Sequence, residues 1–225
     1  MKIKWGALVT DGRGKIGGQV ASKNRSGAYM RTKVSPSNPQ TSFQLAVRAI
    51  LAALSSGWRD LTQEARDSWD NAVNDFQKTN VFGDVTTPTG KNLYTRLNAA
   101  LSSVNESLLT TAPSAAEVFE AVVSISTNTA GPTDLQIGVT GTNAAMTYQV
   151  IATAPVSAGK SFVKSEYRQI GVMPAAQPMP YDISSLYTAK FGASIVGKKV
   201  FVKIVPVVIL TGQQGVGTTA NGITA

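Results

Sequence analysis

Cysteine and histidine are both absent from the 225 residues of this chain. Without them there is no disulfide, no thiolate or imidazole zinc site, no Cys nucleophile and no His general base. Acidic residues are sparse too, with 13 Asp and Glu against 21 Lys and Arg. Hydrolytic chemistry would have to rest on scattered carboxylates or a Ser–Lys pair. Together these absences point away from an enzyme, and no catalytic, cofactor-binding or metal-ligating residues are expected. No apolar run reaches the length of a membrane span, so no membrane partner is expected. The N-terminal MKIKWGALVTDG lacks the long apolar stretch of a signal peptide, which makes a cytoplasm the expected place of synthesis and assembly.

The charge that is present is placed unevenly. Lys2, Lys4, Arg13, Lys15, Lys23, Arg25, Arg31, Lys33 and Arg48 face one acid, Asp11, in the first 48 residues, which therefore hold the entire net charge of +8. The remainder is neutral. Residues 1–40 are also rich in Gly, Ser and Asn, and such a segment cannot bury enough apolar surface to fold alone. It reads as an extended basic arm whose partner is acidic. Ile3, Trp5, Ala7 and Val9 alternate with polar or small residues, and Gln19–Ser22 and Ala28–Arg31 could each make a short strand. Pro36 and Pro39 bar helix at the end of the arm.

An apolar content of 43% is enough for a core in the rest of the chain. Thr41 and Gln44 fit a capping box, and Val47, Ile50, Leu51 and Leu54 share a face of the helix that follows, to about Ser56, with Gly57 as its stop. Thr62 caps a second helix with Glu64 in its first turn; Ala65, Trp69, Ala72, Val73 and Phe76 form its stripe, which fades near Lys78. Pro88-Thr89-Gly90 introduces a third, with Leu93, Leu97, Leu101, Val104 and Leu108 on one face. Residues 41–112 thus form a small helical unit.

From about Glu117 the period changes. The runs Ala121–Ile125, Leu135–Val139, Thr147–Ala152, Phe162-Val163, Tyr167–Ile170 and Lys199–Ile209 are strand-like and separated by Gly, Asn and Pro turns. That spacing predicts an antiparallel β-sandwich of about seven strands over residues 113–211. Residues 212–225, rich in Gly, Thr and Gln, read as a C-terminal tail. The expected class is α+β in several parts.

Two motif matches fail on context. Gly12-Arg-Gly14-Lys-Ile-Gly17 spells G-x-G-x-x-G, but no helix signal follows and no acid occurs between Asp11 and Asp60 to hold a ribose. Ala154–Ser161 loosely matches a P-loop, but Ala154 replaces the first glycine, Pro155 removes an amide, and Phe162-Val163 continues as strand. Trp58, Trp69 and Phe76 read as core, and Asp60, Glu64, Arg66, Asp67 and Asp70 as the solvated face of the second helix. Trp5 and Tyr29 could stack on bases, yet two aromatics among these cations are few for a nucleic-acid surface. An acidic protein surface or a neighbouring subunit is the first expectation for the arm's partner, with nucleic acid second.

The stretch GALVTDGRGKIGGQVASKNRSGAYMRTKVSPSNPQTSFQ, with WRDLTQEARDSWDNAV and TPTGKNLYTRLN, resembles structural proteins of tailed phages of Bacteroidetes, the crAss-like phages included. The shared pattern is a Gly-Lys-x-Gly-Gly arm at Gly14–Gly18, an Arg-Thr-x-x-x-Pro-x-x-Pro-Gln-Thr turn at Arg31–Thr41, and a Trp-containing helical hairpin at Trp58–Val73. The C-terminal half, with Ser165-Glu-Tyr-Arg168, Tyr187–Gly192 and Gly197–Lys203, looks like a fibronectin-III or Ig-like module. The resemblance implies a virion component, first of all an auxiliary or decoration capsid protein, with neck or tail as the alternative. Its implied partners are the major capsid protein, other virion subunits or further copies of itself, and it brings no catalytic residues with it.

Overall fold

The computed structural model describes residues 1–6, 11–35, 37–114, 125–131, 134–139, 145–192 and 197–223. Ala7, Val9, Pro36 and Ala121–Ser124, which carried part of the expectations above, lie outside the described residues. The described chain is mixed α+β, with helices gathered between an N-terminal sheet and two further antiparallel sheets.

Residues 14–32 do not run as an extended arm. Strands β1 (Gly14–Ile16), β2 (Gln19–Asn24) and β3 (Gly27–Thr32) form an antiparallel meander in the order β1-β2-β3. Gly17, at φ 55°, makes the first turn possible, because a left-handed backbone costs glycine little. The sheet buries almost nothing; Ala21 is its one fully buried side chain. Hydrogen bonds between backbone groups hold it, which a reading based on apolar content misses. Residues 33–41, exposed wherever described, then link it to the helices.

Helix α1 spans Ser42–Asp60, and the capping box between Thr41 and Gln44 is present in both directions. The helix runs past Gly57, which is no stop. A side chain there would meet the Tyr94 hydroxyl at 2.9 Å, so glycine serves a close helix–helix approach. Helix α2 spans Gln63–Asn71 with Thr62 as N-cap, and a 3-10 turn at Ala72–Phe76 follows it. A two-strand hairpin, β4 (Lys78–Thr79) with β5 (Val85–Thr86), leads to α3 (Gly90–Ser103), capped by Thr89. Leu54, Trp69, Phe76, Leu93, Tyr94 and Leu97 form the helical core. Each contributes roughly 1.5–3 kcal/mol by leaving water. Leu108 departs from the predicted stripe: α3 ends at Ser103, and Leu108 is half exposed in the segment beyond.

Beyond the helices, β6 (Ile125–Gly131), β7 (Asp134–Val139) and β10 (Tyr181–Asp182) form a three-stranded sheet ordered β10-β7-β6. A second, four-stranded sheet is ordered β12-β11-β8-β9, from β8 (Met146–Ala152), β9 (Arg168–Met173), β11 (Lys199–Val208) and β12 (Thr218–Ile223). The two sheets share one core: Leu135, Ile137 and Val139 from β7 meet Tyr148, Val150, Val202 and Ile204.

Two expectations are corrected here. Phe162-Val163 is loop. Within the expected C-terminal tail, Thr218–Ile223 is strand and pairs with Lys199–Ile204 along the edge of the sheet. Ser184–Phe191 is a helix, α4, whose Leu186 packs on Gly171 of β9. Pro206 sits in β11 beyond the end of β12, where its missing N–H breaks no ladder bond with that strand.

The residue parity of β8 joins the helices to the sheets. Met146, Tyr148, Val150 and Ala152 point into the sheet core, and the alternate Thr147 and Gln149 are buried on the opposite face. There Thr147 donates to Glu106 at 2.9 Å, and Gln149 bonds the Ser103 hydroxyl. Gln169 donates to the Ser103 carbonyl at 2.8 Å. Ala100, Leu101 and Val104 pack on Val207 to complete the seam.

Tyr187 of α4 is buried, and its hydroxyl donates to the Thr153 carbonyl at 3.1 Å. Burial disfavours the phenolate and pushes its pKa up to about 12 from 10.0. The folded chain therefore keeps a proton that the unfolded chain releases from about pH 10 upward. Stability present below pH 10 is expected to be lost as pH rises through about 12, by roughly 2–3 kcal/mol for this one group. Denaturant midpoints measured from pH 9 to 12 in the wild type and Tyr187→Phe check this. The wild type should fall more steeply, and parallel curves would refute the assignment.

Candidate functional site

The eight arm cations expected to bind a partner occupy the N-terminal sheet and its flanks, and the register decides which of them act together. Lys15 lies opposite Val20, and Val20 opposite Arg31. Ser22 lies opposite Tyr29, which bridges to Lys2 on its other side. Residues directly across a ladder share a face. Lys2, Lys15, Arg31 and Tyr29 therefore stand on one face of the sheet. Arg13, Arg25 and Lys33 lie beside the strand ends.

Residues 1–3 run as a further edge beside β3. The terminal ammonium donates to the Met30 carbonyl at 2.9 Å, and the Ile3 amide to that of Ala28 at 3.0 Å. Two of the eight cations are neutralised within the chain. Lys4 pairs with Asp84 at 3.0 Å and stands 5.5 Å from the Phe82 ring, clasping the sheet to the β4–β5 hairpin. Hydrogen bonds from Asn80 and then Lys4 hold the Asp84 carboxyl below its ordinary value. Lys23 approaches Asp11 at 3.8 Å in an exposed pair of little worth. Among the described residues, Lys2, Arg13, Lys15, Arg25, Arg31 and Lys33 have no carboxylate partner.

The two aromatics differ. Trp5 lies over Gly12, where a side chain on the glycine would come within 2.7 Å of the ring, and its indole N–H is buried without an acceptor among the described residues. Its ring packs on Gly12 and remains partly exposed. Tyr29 is half-buried between Lys2 and Ser22.

A second exposed surface lies on α1. Ile50 and Leu54 of its predicted face pack on the helical core, but Val47 and Leu51 are half exposed, and Phe43 is 61% exposed. Sequence periodicity placed these side chains on one face correctly; it could not show that α3 covers only the C-terminal half of that face. Between Phe43, Val47 and Leu51 on one side and Ala99, Ser103 and Gln169 on the other lies an open groove of about 470 Å³.

Neither nucleotide motif has its required setting. After Gly17 the chain turns into strand β2, and after Ser161 it continues as loop, so no helix N-terminus follows in either case. Lys160 is held by Glu166 at 2.7 Å. Among the described residues, no group of three or more Asp and Glu could hold a metal ion, and no helix is long and apolar enough to cross a membrane.

The arrangement gathers Lys2, Lys15 and Arg31, without carboxylate partners among the described residues, on one face of the N-terminal sheet. Compared with protein-family models, curated proteins and solved structures, the chain finds no match in any of the three.

Proposed function

We propose that this chain is a structural protein of a tailed-phage virion, an auxiliary capsid protein that docks on neighbouring subunits through its basic N-terminal sheet. One observation carries the reading. The N-terminal sheet and its flanks carry eight cations against Asp11, the sheet buries only Ala21, and six of those cations have no carboxylate partner among the described residues. Such a segment contributes little to the fold that carries it and is suited to a partner. The exposed apolar side chains Phe43, Val47 and Leu51 at the start of α1 offer a further surface for a partner. The sequence resemblance to crAss-like phage structural proteins supplies the setting, with assembly in the host cytoplasm and residence in the virion. Seven antiparallel strands in sheets of three and four support reading the C-terminal unit as an Ig or fibronectin-III-like sandwich. The partner surface is acidic, on the major capsid protein, another virion subunit or a further copy.

The helical core contains no residue before Ile50, so a chain lacking residues 1–40 is expected to fold. It should keep the full chain's helical far-UV signal and a cooperative unfolding transition, and fail to co-sediment with particles. Truncated chain that joins particles as the full chain does would sink the docking mechanism.

A second reading, contact with packaged DNA, is favoured by the placement of Tyr29 beside Lys2 on the cationic face. Filter binding across salt separates the two. A steep loss of DNA affinity with salt supports the DNA reading, and no measurable slope removes it.

A further inference from the structure

Arg96 lies in the middle of α3, away from the basic sheet in sequence, and its guanidinium is half-buried. It stands 5.9 Å from the Phe76 ring. Among the described residues it makes no ion pair, and its ring contact is its one polar interaction. Five N–H donors in a planar fork therefore have no acceptor among the described residues, although burial has taken part of their water. That desolvation, with no carboxylate opposing it, also lowers the pKa of the group.

Two clefts open beside it. One, of about 250 Å³, lies between Lys78, Leu97 and the Gly212–Gln214 turn. The other, of about 170 Å³, is bounded by Ser26 of the N-terminal sheet, Thr87 and Asn92. Phe76, Lys78 and Arg96 wall both clefts. Lys78 also has no carboxylate partner among the described residues. Asp75 is the carboxylate at the first cleft, and it forms no salt bridge with Arg96.

Resting on the docking reading above, we propose that Arg96 and Lys78 form a socket for a carboxylate side chain of the protein on which the basic sheet docks. Phe76 lies 5.9 Å from the guanidinium, whose edge has no acceptor among the described residues. That edge matches a planar carboxylate with two parallel N–H···O bonds. The clefts admit one side chain, whereas a nucleic-acid backbone needs an open track. Ser26 at the rim connects the socket to the sheet, so a partner lying on the sheet can place an acidic side chain in it.

A hexaglutamate peptide titrated into the isolated full chain at fixed ionic strength tests this without particles. Arg96→Gln is expected to weaken binding tenfold or more, and Lys78→Gln several-fold. Arg59→Gln, an exposed cation outside both clefts, should change it less than twofold. Arg96→Lys keeps the charge and loses the fork, so it should not restore affinity. Acetate should compete with the peptide more than chloride does at the same ionic strength. Wild-type affinity in Arg96→Gln, recovery in Arg96→Lys, or competition by acetate no greater than by chloride would each overturn the carboxylate socket. Particle co-sedimentation of the chain lacking residues 1–40 reports on the docking reading by itself, so the two failures are distinguishable.

Discussion

Replacing Trp69 with alanine is expected to cost about 3–5 kcal/mol, the usual loss for truncating a fully buried large aromatic. Trp69 is inaccessible to solvent, and its ring meets Tyr94 edge-on at 5.4 Å and 90°. Its indole N–H donates to the Thr110 carbonyl at 2.9 Å. That bond is the smaller part of the loss, because Thr110 is exposed and its carbonyl can turn to water. The larger part is the cavity between α2 and α3, which Leu93 and Leu97 on the stiff α3 cannot close. Against a typical total of about 5–15 kcal/mol, this removes a large share of the stability. The denaturant midpoint should fall with an unchanged slope. Trp69→Phe should lose much less, since it keeps a ring beside Tyr94. Equal losses in the two variants would show that the hydrogen bond, and not the volume, matters.

Asn98→Ala is the second large effect, and it works through polarity. Asn98 is buried without solvent contact on α3. Its side-chain amide donates to the Leu109 carbonyl at 3.1 Å and accepts from the Leu109 amide at 2.6 Å. One side chain thus satisfies both backbone groups of a residue outside any strand or helix. Alanine leaves the pair unmatched at about 1–3 kcal/mol for each group that water cannot reach. A total loss of about 2–5 kcal/mol follows. The local signature is hydrogen exchange: the Leu109 amide should lose protection far more than amides inside α3. Unchanged protection at Leu109 would mean that packing alone holds the segment. Asn98→Asp keeps the acceptor and loses the donor, so it should retain Leu109 amide protection while remaining destabilised.

Elements signalled by local chemistry were legible in the sequence. Thr41, Thr62 and Thr89 mark the three helix starts because capping needs only residues within one turn. Leu93, Leu97 and Leu101 form the α3 stripe because periodicity reports burial. The failures share one cause, a reason that lies far off in the chain. Gly57 resembles a helix stop, and only the approach of Tyr94 explains it. Thr218–Ile223 has no apolar alternation to announce a strand, and its pairing with β11 is made by backbone groups. Residues 14–32 are held the same way. The cations of the candidate site were visible individually; their division into free and clasped required Asp84, 80 residues from Lys4. Arg96 gave no sign at all, since Phe76, Lys78 and Gln213 reach it through tertiary structure.

The linker over residues 33–41 decides how the N-terminal sheet and the body share a load. A pull on the sheet meets the Lys4–Asp84 clasp first, and that clasp is one exposed ion pair. The α3 seam, with its buried Thr147, Gln149 and Val207, lies behind it. The clasp yields while the body stays folded, and a nine-residue linker can span at most about 30 Å. The sheet can then shift within that reach while the body keeps its place.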